Sequence, residues 1–365
     1  MLRIAFYISC HGLGHAMRMK ELLSWIHRED PSAQLHVAGM MPPWVFNEAP
    51  AVPLRHRAVQ CDIGAIQKDS LHLDVARTLD ENADFYRDID PLVRREVDFV
   101  RREKIDLIVG DIPPLAFLVA AASGVKSIAI GNFSWDWIYE EYAEEHPRYR
   151  YLVDCVREAY ARADLLLRLP FHGDMSVFRT VRDIPLISRS ASLPRDEVRS
   201  RLGILEGETR KVVFISMGGH DNAGIVADTP APEFGDYIFI SFFNVSGRMK
   251  QMILPEDRAG IPHPDIVRAS DCVISKPGYC TVAECIANRT PLMYTSRDNF
   301  REYPVMEAAV KTYCRWHYLP RDDFHAGLWR RHLDAFFQGP DSFRWPEIPT
   351  DGAATAARII LGKLG

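Results

Sequence analysis

The chain has 365 residues, more than one hydrophobic core usually serves, so its length predicts two domains. Its composition, with 47% hydrophobic and 25% charged residues, is that of an ordinary globular protein. The formal net charge is -5 and no block of Lys and Arg stands out, which argues against nucleic acid and anionic membranes as partners.

The cysteines and the apolar runs indicate where the protein works. The 7 cysteines are scattered and form no CxxC pair, which argues against a disulfide framework and against structural zinc. The apolar run at the N-terminus is too short for a signal peptide, and no run approaches the roughly 20 residues of a membrane span. We therefore expect a cytoplasmic protein without a transmembrane segment, whose oligomeric state stays open.

The first half of the chain alternates strands and helices, the pattern of an α/β protein with a parallel sheet. The predicted elements in chain order are a strand at 2–9, a helix at 17–27, a strand at 34–38, one long surface helix at 78–103, a strand at 105–110, a helix at 115–122 and strands at 127–131 and 165–169. The strand at 165–169 is predicted to be the last of this half.

The second half repeats this pattern after a segment, 171–199, with few periodic features, where we place the domain crossover. Its predicted elements are helices at 195–202, 265–269, 282–287 and 353–361 and strands at 211–216, 237–243, 272–275 and 291–295. We therefore predict domains at 1–185 and 186–345, followed by a C-terminal segment at 346–365.

The first candidate site is the loop CHGLGH that follows the first strand, because ligands of parallel sheets bind beyond the carboxyl ends of strands. Gly12 and Gly14 allow a tight turn and close approach of a ligand. His11 or His15 there can take a proton from a hydroxyl, or can merely cap the helix. Their i, i+4 spacing suits zinc on a helix, but the glycines disfavour a helix and no HExxH motif occurs, so we predict no metal.

The second candidate is Asp111, at the end of the apolar strand at 105–110. A carboxylate there can orient a catalytic His and stabilise its charged form. It can equally be the N-cap of the next helix or part of a turn with the two prolines that follow. Both interpretations remain open.

The third candidate is SKPGYCTVAE at 275–284, where a strand, a Pro-Gly turn and a helix follow one another. The turn and the helix N-terminus can hold a diphosphate with help from Lys276. Glu284 would then reach ribose hydroxyls. The alternative is structural, since Thr281 and Glu284 have the spacing of a capping box.

Two weaker candidates are a glycine pair and an aromatic cluster. Gly218 and Gly219, after Ser216, let a ligand approach the first strand of the second half, although Gly-Gly is also a common turn. Trp135 and Trp137 can stack on the faces of a sugar or a lipid-like acceptor, or can belong to the domain core.

Several segments, in this order, resemble a known family. HGLGHAMR, GDIPPLA, NFSWDWIYEEY, ASDCVISKPGYCTVAECIANRTPLMY and SRDNFREYP are similar to GT-B glycosyltransferases, a class that includes the bacterial peptidoglycan N-acetylglucosaminyltransferase. The likeness is closer to the glycosyltransferase-like half of plant arabinokinases and covers nearly the whole chain. It implies two facing Rossmann-like domains, with a last helix within 346–365 that crosses back to the first domain.

The resemblance also implies roles. The N-terminal domain would hold the acceptor and the C-terminal domain the nucleotide-sugar, a co-substrate, with no other cofactor and no bound metal. His15 stands at the position of the catalytic base and Asp111 at that of its acidic partner. The acceptor-side set is His11, Gly12, Gly14, Trp135 and Trp137. The donor-binding set is Ser216, Gly218, Gly219, Lys276, Gly278, Thr281, Glu284, Arg297, Asn299 and Glu302.

The chain departs from the family near 299–304, where a Gln-rich segment usually holds donor hydroxyls. RDNFRE stands there instead, which leaves the donor sugar open. Sugar phosphorylation is not expected, because no kinase half is present. The predicted function is hexosyl transfer from a UDP- or dTDP-sugar to a hydroxyl of a small molecule or glycan. The alternatives are a nucleotide-sugar 2-epimerase and a non-catalytic nucleotide-sugar-binding protein.

Overall fold

The computed structural model describes residues 1–42, 44–47, 52–69, 71–218, 234–242, 252–253, 260–339 and 342–363. The strands of the first half are β1 Arg3–Ile8, β2 Gln34–Ala38, β3 Leu54–Arg57, β4 Leu107–Asp111, β5 Lys126–Gly131, β6 Leu165–Arg168 and β7 Val181–Asp183. Its helices are α1 Leu13–Glu29, α2 Trp44–Asn47, α3 Val75–Arg87, α4 Ile89–Glu103, α5 Pro114–Ser123, α6 Trp135–Glu145 and α7 Arg150–Tyr160.

The described strands of the second half are β8 Lys211–Ile215, β9 Tyr237–Ser241, β10 Met252–Ile253, β11 Cys272–Ser275, β12 Leu292–Tyr294 and β13 Trp316–Tyr318. Its helices are α8 Arg195–Arg201, α9 His263–Ala269, α10 Tyr279–Asn288, α11 Tyr303–Tyr313, α12 Arg321–His325, α13 Arg330–Gln338 and α14 Gly352–Ile360.

These strands form two parallel sheets, as the alternating pattern predicted. The first sheet has the order β3-β2-β1-β4-β5-β6-β7 and the second β10-β9-β8-β11-β12-β13. Central strands such as β1 are apolar after their first residue because helices cover both faces of the sheet. In both sheets the order reverses beside the first strand of the half, which is where open α/β sheets bind ligands.

The register of the first sheet brings two candidate loops together. Ile8, the last residue of β1, pairs with Asp111, the last residue of β4. The backbone N–H of Ser9 then donates to the carbonyl of Asp111 at 2.8 Å. The loop after β1 therefore starts beside the Asp111 side chain.

The C-terminal helix crosses back to the first half, as predicted. α14 packs along α1, and Nε of Arg358 donates to Oε1 of Glu29 at 3.1 Å. One apolar cluster includes Ile4 of the first sheet, Phe214 of the second and Ala356 of α14. The two halves are thus joined by continuous packing as well as by the chain.

Two predicted elements differ from the structure. The stretch 78–103 is not one helix, because α3 and α4 meet at Asp88; Pro91, in the first turn of α4, has no N–H with which to continue the hydrogen bonding of α3. The strand at 165–169 is not the last of its sheet, since β7 follows it, too short and too exposed to show a periodic signal.

Two helices also begin earlier than predicted. α1 begins at Leu13, with Gly12 as its N-cap at φ 95°, so Gly14 and His15 lie in its first turn. The expectation that the glycines prevent a helix is wrong, because one glycine costs only about 1 kcal/mol in a helix and tertiary packing offsets that. α10 likewise begins at Tyr279, before the predicted residue 282.

Candidate active site

A cleft lies between the two halves, and the loops at the carboxyl ends of both sheets line it. The two loops meet across it, since Sγ of Cys280 lies 3.1 Å from the carbonyl oxygen of Gly14. The predicted residues that line the cleft are His11, Gly12, Gly14, His15, Ser216, Gly218, Lys276, Gly278, Thr281, Glu284, Arg297 and Glu302. Gly219 lies outside the described residues.

His15 and Asp111 are in direct contact at the floor of the cleft. Nδ1 of His15 lies 2.9 Å from Oδ1 of Asp111, and both side chains are buried. A carboxylate can only accept here, so His15 carries its proton on Nδ1. The second ring nitrogen, Nε2, is then the one left for a ligand in the cleft.

Asp111 has a second partner that the sequence analysis did not single out. Nε of Arg18 donates to Oδ2 of Asp111 at 2.7 Å, and Nη2 of Arg18 donates to Oδ1. Burial alone would raise the pKa of Asp111, but the charge of Arg18, with its contacts and those of His15, holds that pKa below the ordinary value. Asp111 does not cap α5, whose N-cap is Pro113, so that alternative is wrong.

A hydrogen-bond chain links this centre to the second half. Nη1 of Arg18 donates to Oδ1 of Asn132 at 3.0 Å, and Nδ2 of Asn132 donates to Oε1 of Glu302 at 2.6 Å. Burial raises the pKa of Glu302, although the Asn132 hydrogen bond and nearby cations oppose it. Asn132 follows β5 directly, so its position after a strand was the signal that could have identified it.

On the opposite wall, Glu284 uses both of its oxygens. Oε1 accepts from Nε of Arg189 at 2.7 Å, and Oε2 lies 2.5 Å from Nδ1 of His263. Nε2 of His263 in turn lies 2.7 Å from Oγ of Ser216. The capping-box interpretation of Thr281 and Glu284 is wrong, since α10 begins at Tyr279 and Glu284 points away from its N-terminus to these partners.

Two cations stand beside the start of α10. Burial, together with the charge of Arg297, holds the pKa of Lys276 well below its ordinary value. Burial also lowers the pKa of Arg297 to about 10. A buried cation gains when an anion is brought beside it, so this corner of the cleft is suited to a phosphate or diphosphate.

Asp111 lies beneath His15 and does not line the cleft itself, and three further predicted site residues do not face the cleft. Trp135 is fully buried; its Nε1 donates to Asp62 and its ring stacks on Tyr139. Trp137 is buried as well, so for both rings the core interpretation holds and acceptor stacking does not. Asn299 is an exposed turn residue at φ 53° whose carbonyl accepts from the hydroxyl of Tyr142 at 2.5 Å.

The described part of the chain contains no group of three or more His, Cys, Asp or Glu side chains placed to hold a metal ion. Within the same residues, no helix combines the length and the apolar character that crossing a membrane requires. All seven cysteines are described, and each is an unpaired thiol.

In sequence, the chain is similar to about one third of a plant enzyme. No protein-family profile matches the chain. L-arabinokinase from Arabidopsis thaliana is 32% identical over 344 residues, which cover 91% of this chain but only 32% of that protein. The chain therefore spans about a third of the length of this relative.

Structural comparison identifies the fold. Spinosyn forosaminyltransferase SpnP aligns with a TM-score of 0.60 at 14% identity, over 99% of this chain and 94% of that one. UGT89C1 from Arabidopsis thaliana, complexed with UDP, aligns with a TM-score of 0.56 at 14% identity, over 99% of this chain and 94% of that one. A Listeria monocytogenes protein assigned as a UDP-N-acetylglucosamine 2-epimerase aligns with a TM-score of 0.58 at 12% identity, over 98% of this chain and 94% of that one.

The protein has the GT-B fold. Its cleft is the interdomain cleft of that fold, and its C-terminal helix makes the GT-B return to the first domain. The segment that departs from the GT-B pattern in sequence, 297–302, lies against the first half. Phe300 stacks on His11 with ring centroids 5.4 Å apart and packs against Phe133, while Arg301 donates to the carbonyl of Trp137 at 2.6 Å.

Several residues of this GT-B cleft lie outside the predicted set, among them Arg18, Asn132, Arg189, His263 and Phe300. Arg18 follows His15 by three residues, which places both on one face of α1, and this spacing was a usable signal. Arg189 and His263 lie in segments without a motif, and only the tertiary structure brings them to Glu284.

Proposed function

We propose that this GT-B protein transfers a sugar from a nucleotide-diphosphate sugar to a hydroxyl acceptor. The observation that carries the proposal is the His15–Asp111 pair, which leaves Nε2 of His15 for a ligand in a cleft whose other wall holds Lys276, Arg297 and the start of α10. A base on one wall and an anion site on the other are the two elements that this reaction requires.

In the proposed reaction, Nε2 of His15 takes the proton of the acceptor hydroxyl as its oxygen forms a bond to the anomeric carbon. The bond from that carbon to the diphosphate breaks, and the diphosphate leaves with the electron pair. Asp111 holds the imidazole and stabilises its transient positive charge. Holding both substrates in line in one cleft supplies much of the acceleration.

On the donor side, we propose that the diphosphate binds at the N-terminus of α10, near Lys276 and Gly278. These groups balance its charge, so no divalent metal is required. Ser216 and Gly218 approach it from the end of β8. A UDP or dTDP donor is proposed; the UDP complex of a protein of the same fold supports the first.

A thermal-shift screen followed by one substitution tests this function. Wild-type protein is melted with UDP, dTDP, ADP and GDP, and then with the matching nucleotide-sugars; UDP or dTDP is expected to raise Tm. His15→Ala should keep that shift but lose transfer by about 100- to 10,000-fold, the range for a general base. His27→Ala, a substitution near the other end of α1, is the matched control. Wild-type turnover in His15→Ala would refute the role of His15 as the general base.

A 2-epimerase is the second candidate, favoured by the similar fold of the Listeria monocytogenes protein. It predicts conversion of UDP-N-acetylglucosamine to its 2-epimer in the absence of any acceptor. Proton NMR of the anomeric region after incubation without acceptor separates the two reactions. Binding of a nucleotide-sugar with neither reaction would instead indicate a binding protein.

A further inference from the structure

Arg18 holds Asp111 more rigidly than His15 alone could. It lies one turn beyond His15 on α1, and its side chain is buried. Its Nε and Nη2 donate to the two different oxygens of Asp111. A planar guanidinium fork on a carboxylate fixes the plane of the carboxylate as well as its position.

This arrangement also selects the tautomer of His15. Oδ1 of Asp111 lies 2.9 Å from Nδ1 of His15, and Nη2 of Arg18 lies 3.0 Å from the same nitrogen. Arg18 donates to Asp111 and Asn132, and an unprotonated Nδ1 would set its lone pair against the carboxylate oxygen, so Nδ1 carries the proton and donates it to Asp111. The lone pair is therefore on Nε2, the nitrogen that a ligand in the cleft can reach.

Arg18 also balances the charge of Asp111. Asp111 is a buried carboxylate, and Arg18, which is buried beside it, supplies the opposing positive charge. His15 therefore meets Asp111 as a hydrogen-bond partner and not as its only counter-ion.

We propose that Arg18 is a positioning residue for sugar transfer, which locks Asp111 in place so that His15 donates from Nδ1 to Asp111 and presents Nε2 to a ligand in the cleft. The inference rests on the proposed function, because it explains how the base of that reaction is prepared. Arg18 itself touches no reacting atom in this account. Through Asn132 it also ties the base to Glu302 of the second half.

Nitrogen-15 NMR of the imidazole tests this without any substrate. In the neutral ring of the wild type, His15, assigned by comparison with His15→Gln, should show a protonated Nδ1 and an unprotonated Nε2. In Arg18→Met the fork no longer holds Asp111, so the same ring should show a mixture of the two tautomers. Arg18→Lys, which keeps the charge and is the safer variant if Arg18→Met does not fold, should show a smaller change in the same direction. A wild-type ring with its proton on Nε2, or an unchanged ring in both variants, would overturn the proposal.

Kinetics then separate positioning from charge. With the donor that the thermal-shift screen identifies, Arg18→Lys should lower kcat by about 10- to 100-fold with little change in donor KM, because the fork is lost. Arg18→Met should lower kcat further, because Asp111 then loses the positive charge as well as the fork. Arg28→Met, an exposed arginine on the same helix, is the control and should behave as wild type. A kcat of Arg18→Met equal to that of the wild type would contradict the inference.

Failure of the proposed function looks different. If the wild type turns over no nucleotide-sugar, the NMR result still decides whether Arg18 fixes the arrangement of Asp111 and His15. If transfer is present and the Arg18 variants match the wild type in kcat and KM, the proposed function is retained and the proposed role of Arg18 is refuted.

Discussion

Oε2 of Glu284 lies 2.5 Å from Nδ1 of His263, and the carboxylate is buried. This contact joins α10 to the start of α9 behind the wall of the cleft. Glu284 is therefore already held by protein groups when the cleft is empty. If Glu284 binds a ribose hydroxyl, its carboxylate does so without first changing position.

Glu284→Gln should destabilise the protein at neutral pH. Burial alone would raise the pKa of Glu284, but Arg189 and His263 outweigh burial and lower it. The ionised group thus stabilises the fold above its ordinary pKa of about 4.3, and this contribution is lost as pH falls through the lower folded value. Removing the charge leaves Arg189, which is partly buried, without its carboxylate partner, which costs at most about 3–5 kcal/mol.

The check is the Tm of wild type, Glu284→Gln and the exposed control Glu206→Gln from pH 3 to pH 8. The gap between wild type and Glu284→Gln should be widest near pH 7 and narrow at the acid end. A gap that does not change with pH would mean that packing, and not charge, is what the substitution removes.

Binding of UDP should draw a proton onto Lys276. Its pKa is held well below the ordinary value by burial and by Arg297, and a diphosphate beside it favours the charged form. At pH 8, titration calorimetry in two buffers of different ionisation enthalpy should therefore show proton uptake. Lys276→Met should abolish the proton uptake and lower the affinity for UDP by about 10-fold, as loss of one charged hydrogen bond predicts.

Lys311→Met is the matched control for this experiment, because Lys311 pairs with Glu307 on α11. It should show wild-type affinity and wild-type uptake. Proton release on binding, or uptake that persists in Lys276→Met, would assign the titrating group elsewhere in the cleft.

Glu302→Gln should stabilise the protein. Burial raises the pKa of Glu302, so the folded protein holds this proton more tightly than the unfolded chain, and stability falls as pH rises from about 4.3 through the folded value. Glutamine keeps an oxygen to accept from Asn132 without the buried charge. A gain of 1 kcal/mol would raise Tm by about 2–4 °C.

Thermal melts at pH 4 and pH 7.5 check this prediction, with the exposed Glu347→Gln as control. The gain should appear at pH 7.5 and vanish at pH 4. A loss of stability at pH 7.5 would show that attraction between the charge of Glu302 and nearby cations outweighs the cost of burying that charge.

Gly352→Ala should weaken the docking of α14. A Cβ on Gly352 would overlap the carbonyl oxygen of Pro185 and lie 2.8 Å from its carbonyl carbon. Both are backbone atoms that cannot rotate away, so overpacking of about 1–3 kcal/mol is expected. Urea unfolding measures the loss, with Thr355→Ala on the same helix as control; equal midpoints for the two variants would contradict the prediction.

Much of the fold was predictable because it depends on local patterns. Strands such as β1 and β4 are continuous apolar runs, and each candidate loop follows a strand end, so the motifs around His15, Asp111 and Lys276 were found along the chain. Helix starts were less predictable. α1 begins at Leu13 in spite of Gly14, because packing against α14 outweighs local helix propensity.

Contacts between distant segments were not predictable in the same way. Trp135 carries the same aromatic ring whether it faces a sugar or the core, and only packing on Tyr139 shows that it is core. Glu302 looked like a donor ligand by position, yet its carboxylate accepts from Asn132 of the other half. Its neighbour Phe300, which was not among the predicted site residues, lies on His11.

The sequence by itself determined the two α/β halves and the loops that carry the chemistry, because strand periodicity, glycine turns and helix starts depend on neighbouring residues. Only the tertiary structure decided which charges meet: Arg18 with Asp111, and Arg189 and His263 with Glu284. These partners are up to 95 residues apart. Their pairing is set by sheet register and by the approach of the two halves, which no local pattern encodes.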